Sequence, residues 1–213
     1  MRQDDFSFDE TTHTYTVNGC AVPSVTQLLA PITIGKYPKD VGVIQAAARR
    51  GTRIHELCNL YDLDALPEEF EGSLIPYVQA WAEFCRDYKP EWIFTEKPMH
   101  DGLYYAGTMD RLGIIDGMHT VVDIKTAQSL DRPAKVALAV QLYAYQRMAK
   151  QLLPAAMPVA GMGVQLLKTG KYRVYWRKDL EYVYKIDSGD IWDSLCMLYE
   201  ATHGTVYDKE DSA

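Results

Sequence analysis

Between Tyr105 and Thr126 the chain reads YAGTMDRLGIIDGMHTVVDIKT, two apolar, β-rich runs separated by Asp116-Gly117. That dipeptide accepts the positive φ angles of a two-residue turn, so the pattern predicts a hairpin with Ile115 opposite Met118. Counting back from the turn puts Leu112 opposite Val121 and Asp110 opposite Asp123, and the two-residue period puts Lys125 on the face of Asp123. Leu112, Ile114 and Val121 make one face apolar; Met109, Ile115, Val122 and Ile124 make the other. Strands apolar on both faces are central and covered. The remaining elements follow from pattern and punctuation. Residues 6–22 alternate around turn signals at Glu10-Thr-Thr and Asn18-Gly19, giving a hairpin or a three-stranded piece. Ser24 and Gln27 form a capping box that opens a short helix. Residues 31–40 read as a loop whose Lys36 and Tyr37 either touch substrate or merely connect. Helical spacing predicts helices over 43–63, with the stripe Ile44, Ala47, Ala48, Gly51, Ile54, Cys58 and Tyr61, and over 68–88, with Leu74, Val78, Trp81 and Phe84. Further helices are expected over 134–152 and 188–202. Residues 92–99 form a strand that completes a three-stranded meander, 159–167 and 172–177 form a hairpin, and 182–186 form one more strand.

Directly opposite side chains in a sheet have Cβ atoms about 5 Å apart. At that separation Asp110 and Asp123 resist ionising together. A divalent cation removes the conflict, because hard cations take carboxylate oxygens. The other reading makes Asp110 a solvated rim residue and Asp123-Lys125 a surface pair, but a polar group in a covered strand wants a partner or a function. His55 stands at the border of its helix's apolar stripe, as a core histidine or as a metal ligand. Arg49, Arg50 and Arg53 lie beside it, as a solvated face paired with Glu56 or as phosphate contacts. Glu96, on the strand before the hairpin, either leans toward the carboxylates or pairs with Lys97 or an arginine. Gln141 and Tyr145 are four apart and share a helix face. Lys168, Lys171, Arg173, Arg177 and Lys178 make a basic segment without an acid.

Gly107-Thr-Met-Asp110, Asp123-Ile-Lys-Thr126, Gln141-Leu-Tyr-Ala-Tyr145 and, upstream, Gly51-Thr-Arg-Ile-His55-Glu56 resemble the four motifs of the PD-(D/E)XK nucleases, in order and spacing. The RecB-like and phage exonuclease branch is the most similar. Val22 to Leu29 is similar to the opening of phage exonucleases and of the mitochondrial genome maintenance exonuclease. The resemblance implies an α/β, restriction-endonuclease-like fold, a mixed central sheet flanked by helices. It implies phosphodiester hydrolysis with Mg²⁺ or Mn²⁺ held by Asp110, Asp123, His55 and the backbone carbonyl of Ile124. Glu96 joins them if this chain follows relatives such as lambda exonuclease. Lys125 then orients and deprotonates the attacking water or stabilises charge on the phosphate, and Gln141, beside Tyr145, positions the site or its DNA. A carboxylate-rich site with one imidazole suits Mg²⁺ or Mn²⁺ better than zinc.

The 213 residues fit one domain, with 1–42 as an N-terminal hairpin and short helix, 43–152 as the catalytic core and 153–213 as C-terminal strands and helix. Hydrophobic residues make up 47% and charged ones 24%, the proportions of a globular protein. No apolar run reaches the length of a membrane span, and the acidic N-terminus lacks a signal-peptide core. The four cysteines are scattered without C-x-x-C spacing, as expected of reduced thiols in the cytoplasm of a bacterial or phage-infected cell. Only Cys196 follows the core, so no iron–sulfur cluster is expected. A net charge of −7 argues against a protein that coats DNA. It leaves room for one that grips DNA locally, through Arg49, Arg50, Arg53, Lys168, Lys171 and Arg173. The expectation is a metal-dependent DNA exonuclease acting at a free end in recombination, repair or processing. With no Walker A motif here, a helicase would be a separate partner, as would a recombinase or annealing protein. A catalytically silent relative that binds DNA or protein, and a metal-dependent hydrolase acting on something else, are the alternatives.

Overall fold

A computed structural model describes residues 5–33, 41–102, 104–154 and 156–204. Among the described residues eight strands and six helices follow in the order β1 (Phe6–Asp9), β2 (Thr14–Val17), β3 (Cys20–Val22), α1 (Val25–Thr33), α2 (Val41–Asp62), α3 (Ile75–Tyr88), β4 (Glu91–His100), β5 (Ala106–Ile115), β6 (Met118–Lys125), α4 (Arg132–Ala149), β7 (Val159–Leu166), β8 (Tyr172–Trp176), α5 (Arg177–Tyr184) and α6 (Ser188–His203). The central sheet has the order β4-β5-β6-β7-β8. All its pairings are antiparallel except β6 with β7, which are parallel because α4 crosses between them. This is the mixed sheet flanked by helices expected of a restriction-endonuclease-like fold.

The Asp116-Gly117 turn forms with both residues at positive φ, 50° and 75°, and fixes the predicted register, Ile115 opposite Met118 and Leu112 opposite Val121. The sheet is apolar on both faces because both are covered. On one face Leu112 and Val121 pack with α1, α4 and α6 through Leu28, Leu138, Leu142 and Trp192. On the other, Ile115, Val122, Ile124, Met162 and Val164 pack with α2 and α3 through Ile54, Leu57, Trp81 and Phe84. Met109 departs from its parity and joins the first layer. It lies beyond the end of the β5–β6 ladder, where the alternation no longer governs which layer a side chain meets.

A small three-stranded sheet, β1-β2-β3, precedes the core. It is tied to β5 by a parallel bridge between Ser24 and Ala106 and by the Ala106 N–H to Pro23 carbonyl bond of 2.9 Å. The capping box of α1 is closed both ways: Ser24 N–H donates to Gln27 Oε1 at 2.7 Å and Gln27 N–H to Ser24 Oγ at 3.1 Å.

Several expected boundaries move. α1 spans Val25–Thr33 with Pro31 inside it, so residues 31–33 of the expected loop are helical; the rest of that expectation, with Lys36 and Tyr37, lies outside the described residues. The helix expected from Glu68 starts at Ile75 with Pro76 in its first turn, where proline's missing N–H costs no intrahelical bond. In α2, Ala47 and Ala48 are exposed and Leu57 is buried, so the N-terminal half of that helix stands clear of the core. Residues 182–186 are not a strand: α5 occupies 177–184, an Arg177–Glu181 ion pair one turn apart supports it, and Lys185 closes it at φ 54°.

Candidate active site

The β5–β6 ladder ends at Arg111 opposite Val122, and Asp110 and Asp123 are the next residues outward. There the strands part, and Asp110 turns its carboxylate into the gap, where Oδ2 accepts the Ile124 N–H at 2.7 Å. On the other side of β5, Thr95 faces Arg111 and Lys97 faces Met109, which brings Glu96 across from Asp110. Glu96 has φ 44°, a conformation that costs a non-glycine residue about 1–3 kcal/mol. From α2, His55 Nδ1 comes to 3.5 Å from Asp110 Oδ1. His55, Glu96 and Asp110 each offer a ligand atom within 4.8 Å of the others. The one-sided alternatives for Glu96 both hold, since it faces the cluster and also pairs with an arginine.

Asp123 stands behind this group. Its Oδ2 is 2.8 Å from Lys125 Nζ, and Lys125 also donates to Gln141 Oε1 at 2.7 Å. The sequence left Gln141 as a general positioning residue; α4 hands it directly to the lysine. Tyr145, one turn further, packs against Gly107, where a Cβ would meet its hydroxyl at 2.9 Å, so the Gly-Thr-Met-Asp motif needs its glycine to admit the tyrosine. His55, Glu96, Asp110, Asp123, Ile124 and Lys125 line one cavity of about 630 Å³.

The electrostatics of this end of the sheet are unbalanced. Burial opposes the charged form of Asp110, but His55, the Ile124 N–H and Lys125 outweigh it and hold the carboxyl below the usual range. Burial, helped by Asp110, raises Asp123 against the pull of Lys125. Burial and Asp110 likewise raise Glu96 against Arg111 and His55. Burial disfavours the His55 cation, yet Asp110, Glu96 and Asp123 push its pKa up to about 9. Three carboxylates thus share the His55 imidazolium and the Lys125 ammonium, which meets Asp123 Oδ2, while Glu96 also reaches the Arg111 guanidinium. Three carboxylates and one imidazole, oxygen donors in the majority, fit a hard divalent cation.

One residue that the sequence reading passed over organises the cluster from behind. Arg111 is fully buried on the α3 side of β5. Its Nε donates to Asp62 Oδ2 at 2.7 Å, and its Nη1 to Glu96 Oε1 at 2.7 Å and to the Asp110 carbonyl at 2.6 Å. Asp62, the last residue of α2, also takes the Trp81 indole N–H at 2.9 Å, and the guanidinium lies 5.6 Å from the Trp81 ring. The signal was present as a lone arginine in a run buried on both faces, where a charge survives only with partners.

The expected substrate-binding cations do not line the cavity. Arg53 pairs with Glu56 at 3.0 Å and Glu71 at 3.3 Å, and Lys171 with Glu83 at 2.6 Å. Arg49, Arg50 and Arg173 are exposed, and the Lys168 N–H is held by Gln128 Oε1 at 3.1 Å. Arg49 and Arg50 lie just before Gly51 and Thr52, which do reach the cavity.

A model of the PD-(D/E)XK nuclease superfamily matches residues 44–194, which hold every residue of this cluster. The chain belongs to that superfamily. Its members are nucleases that work with divalent metals, in keeping with the donor set above. Twelve solved chains match it; among them "Crystal structure of SSO0001" is 15% identical, covers 82% of this chain and 84% of its own, and superposes with a TM-score of 0.33. No curated protein matches the chain. Among the described residues no helix is long and apolar enough to cross a membrane.

Proposed function

We propose that this member of the PD-(D/E)XK superfamily is a Mg²⁺- or Mn²⁺-dependent deoxyribonuclease of the RecB-like exonuclease branch, serving DNA recombination, repair or processing in the cytoplasm of a bacterial or phage-infected cell. The observation that carries the reading is the convergence of His55, Glu96 and Asp110 within 4.8 Å at the open end of the β5–β6 ladder, with Asp123 and Lys125 on the same cavity.

In this reading Asp110, His55 and Glu96 hold the cation, with Asp123 and the Ile124 carbonyl beside them. A bound divalent cation supplies Lewis acidity at the attacked phosphate. The chain's own residues do the rest. Lys125, given two acceptors by Asp123 and Gln141, is held as an ammonium donor that orients the attacking water and stabilises charge gathering on the phosphate. Gln141 keeps it aimed, and Tyr145 fixes the turn of α4 from which Gln141 reaches it. His55, carried by α2, sets its imidazole beside Asp110.

Exonuclease action follows from charge. An acidic protein whose cavity holds Lys125 as its sole lysine or arginine among the described lining residues grips duplex weakly and accepts an end. Linear and covalently closed circular DNA are incubated side by side with Mg²⁺, with and without EDTA. The expected result is loss of the linear DNA only, blocked by EDTA. Equal cutting of closed circles sinks the exonuclease reading, and no cutting of any DNA sinks the nuclease one.

A further inference from the structure

The cavity has a second side that the nuclease motifs do not supply. Phe8, Glu10, His13 and Tyr15, all from the N-terminal hairpin, line it together with the carboxylates, and they lie outside residues 44–194. Their rings form one cluster. Phe8 stacks on Tyr15 with centroids 4.4 Å apart and planes 16° apart, and His13 stands edge-on to Phe8 at 5.1 Å and to Tyr15 at 5.8 Å. Tyr15 is buried and anchors the group, its hydroxyl bonded to Thr108 Oγ1 at 2.9 Å, two residues from Asp110 on β5. Phe8 is half-buried and His13 exposed, so both keep ring surface turned to the cavity.

We infer that this aromatic face is the stacking wall for an unpaired base next to the scissile phosphate, and that the substrate is therefore a single strand or a frayed end. The inference rests on the nuclease reading and names its substrate class. Three observations carry it. Aromatic faces bind bases of any identity by stacking. The wall carries no lysine or arginine, and its one charged side chain is Glu10, which repels a phosphate but accepts a hydrogen bond from a base's amino or ring N–H. A phosphate belongs on the cation side, and a base on this one. Finally, 630 Å³ is the size of a small-molecule site, room for about one or two nucleotides beside the carboxylates. The wall is also prebuilt, because the Tyr15–Thr108 bond and the Ser24–Ala106 bridge fix the hairpin to the strand that bears Asp110.

Two variants test it. Phe8→Leu keeps apolar bulk in the N-terminal sheet and removes the ring. His13→Gly removes an exposed ring at φ 53°, where glycine fits without strain, and covers the case in which Phe8→Leu does not fold. A labelled single strand is compared with the same strand carrying one abasic residue at successive positions from the end. For the intact strand, each variant raises KM by about tenfold, the scale of one base–aromatic stack removed. On the strand whose abasic residue faces the wall the variants add nothing further, because the stack is already missing. Effects that multiply, or duplex cut as readily as single strand, overturn the wall. If the wild type cuts no DNA, the nuclease reading fails. The wall is then read separately by fluorescence of a strand containing 2-aminopurine in EDTA, where quenching by the wild type but not by the variants supports it and equal or absent quenching refutes it.

Discussion

Arg111→Met is the substitution whose consequence the structure fixes most closely. Arg111 and Asp62 have side-chain exposures of 0% and 2% and meet at 2.7 Å. Deleting one member of such a pair strands the other charge and typically costs about 3–5 kcal/mol. An upper bound on the stranded-charge part comes from proton uptake. Starting from 3.8, a carboxyl made neutral at pH 7 costs roughly 1.36 × 3.2, or about 4 kcal/mol. The Glu96 contact adds little, since Glu96 is 33% exposed and solvent screens it. For a chain of this size about 4 kcal/mol lowers Tm by roughly 8–16 °C. The loss depends on pH in a definite sense. Without its partner, Asp62 has a folded-state pKa raised further above the unfolded value by burial. A raised folded pKa favours the native state at low pH and loses that benefit as pH rises through it. The deficit of the variant is therefore small near pH 4 and full by pH 7.5. Melting curves in EDTA, followed by circular dichroism at both pH values, measure it. Asp62→Leu combined with Arg111→Met removes both charges and should recover part of the loss, whereas Arg111→Lys, which cannot bridge three acceptors, should not. A loss under about 1 kcal/mol, or one that does not change with pH, refutes the reasoning. Because Arg111 also orients Glu96 and the Asp110 carbonyl, Mn²⁺ affinity by calorimetry should fall about 10–100-fold in any variant that remains folded.

The remaining expectations concern the cluster and its approach. Asp110→Asn and Asp123→Asn should each abolish cleavage but differ in metal-free stability: the Asp110 charge is favoured by His55 and the Ile124 N–H, so Tm falls, whereas burial disfavours that of Asp123, so Tm holds or rises. The reverse order in a thermal melt would contradict the assignment. Lys125→Ala should remove single-turnover cleavage without weakening Mn²⁺ binding by calorimetry; a loss of affinity matching that of Asp110→Asn would make the lysine part of the metal site. In binding titrations against salt, Arg49→Ala or Arg50→Ala should flatten the log–log slope by about 0.7–0.9 for each phosphate no longer neutralised. Lys171→Ala should leave that slope unchanged, because its ammonium is already engaged by Glu83.

The sequence showed most where local rules are strict. A two-residue turn at Asp116-Gly117 leaves one register available, which holds from Ile115–Met118 to Arg111–Val122 and leaves Asp110 and Asp123 as the next residues outward. The capping box at Ser24 and Gln27 was legible for the same reason, since it is a short-range hydrogen bond. Boundaries failed where spacing overrode punctuation or the deciding partner is distant. Within residues 68–88 Pro76 marks a first turn, and the helix does start at Ile75, but the helical spacing alone ran past that mark. Residues 182–186 have the composition of a strand, but β8 is already followed by a helix whose Leu180 is buried, and that packing is not encoded locally.

The site was half legible, for a physical reason. Resemblance and register together point to residues suited to a cation or phosphate, because that chemistry limits which side chains can serve. They are silent on what holds those residues in place. Arg111 adjoins Asp110 in sequence but points to the opposite layer, toward Asp62 at the end of α2, 49 positions earlier. Only the fold brings an α2 carboxylate, a β5 guanidinium and a β4 glutamate into one line. The arrangement also explains the position of Glu96. A regular β4 would present it simply as Asp110's neighbour, two like charges directly opposed and mutually destabilising. The positive φ of Glu96 and its bond to Arg111 let one oxygen discharge on the guanidinium while the residue still faces His55 and Asp110. The strain at Glu96 and the buried Arg111–Asp62 pair are therefore two parts of one device, which keeps a third carboxylate at the open end of the ladder before any cation arrives to neutralise it.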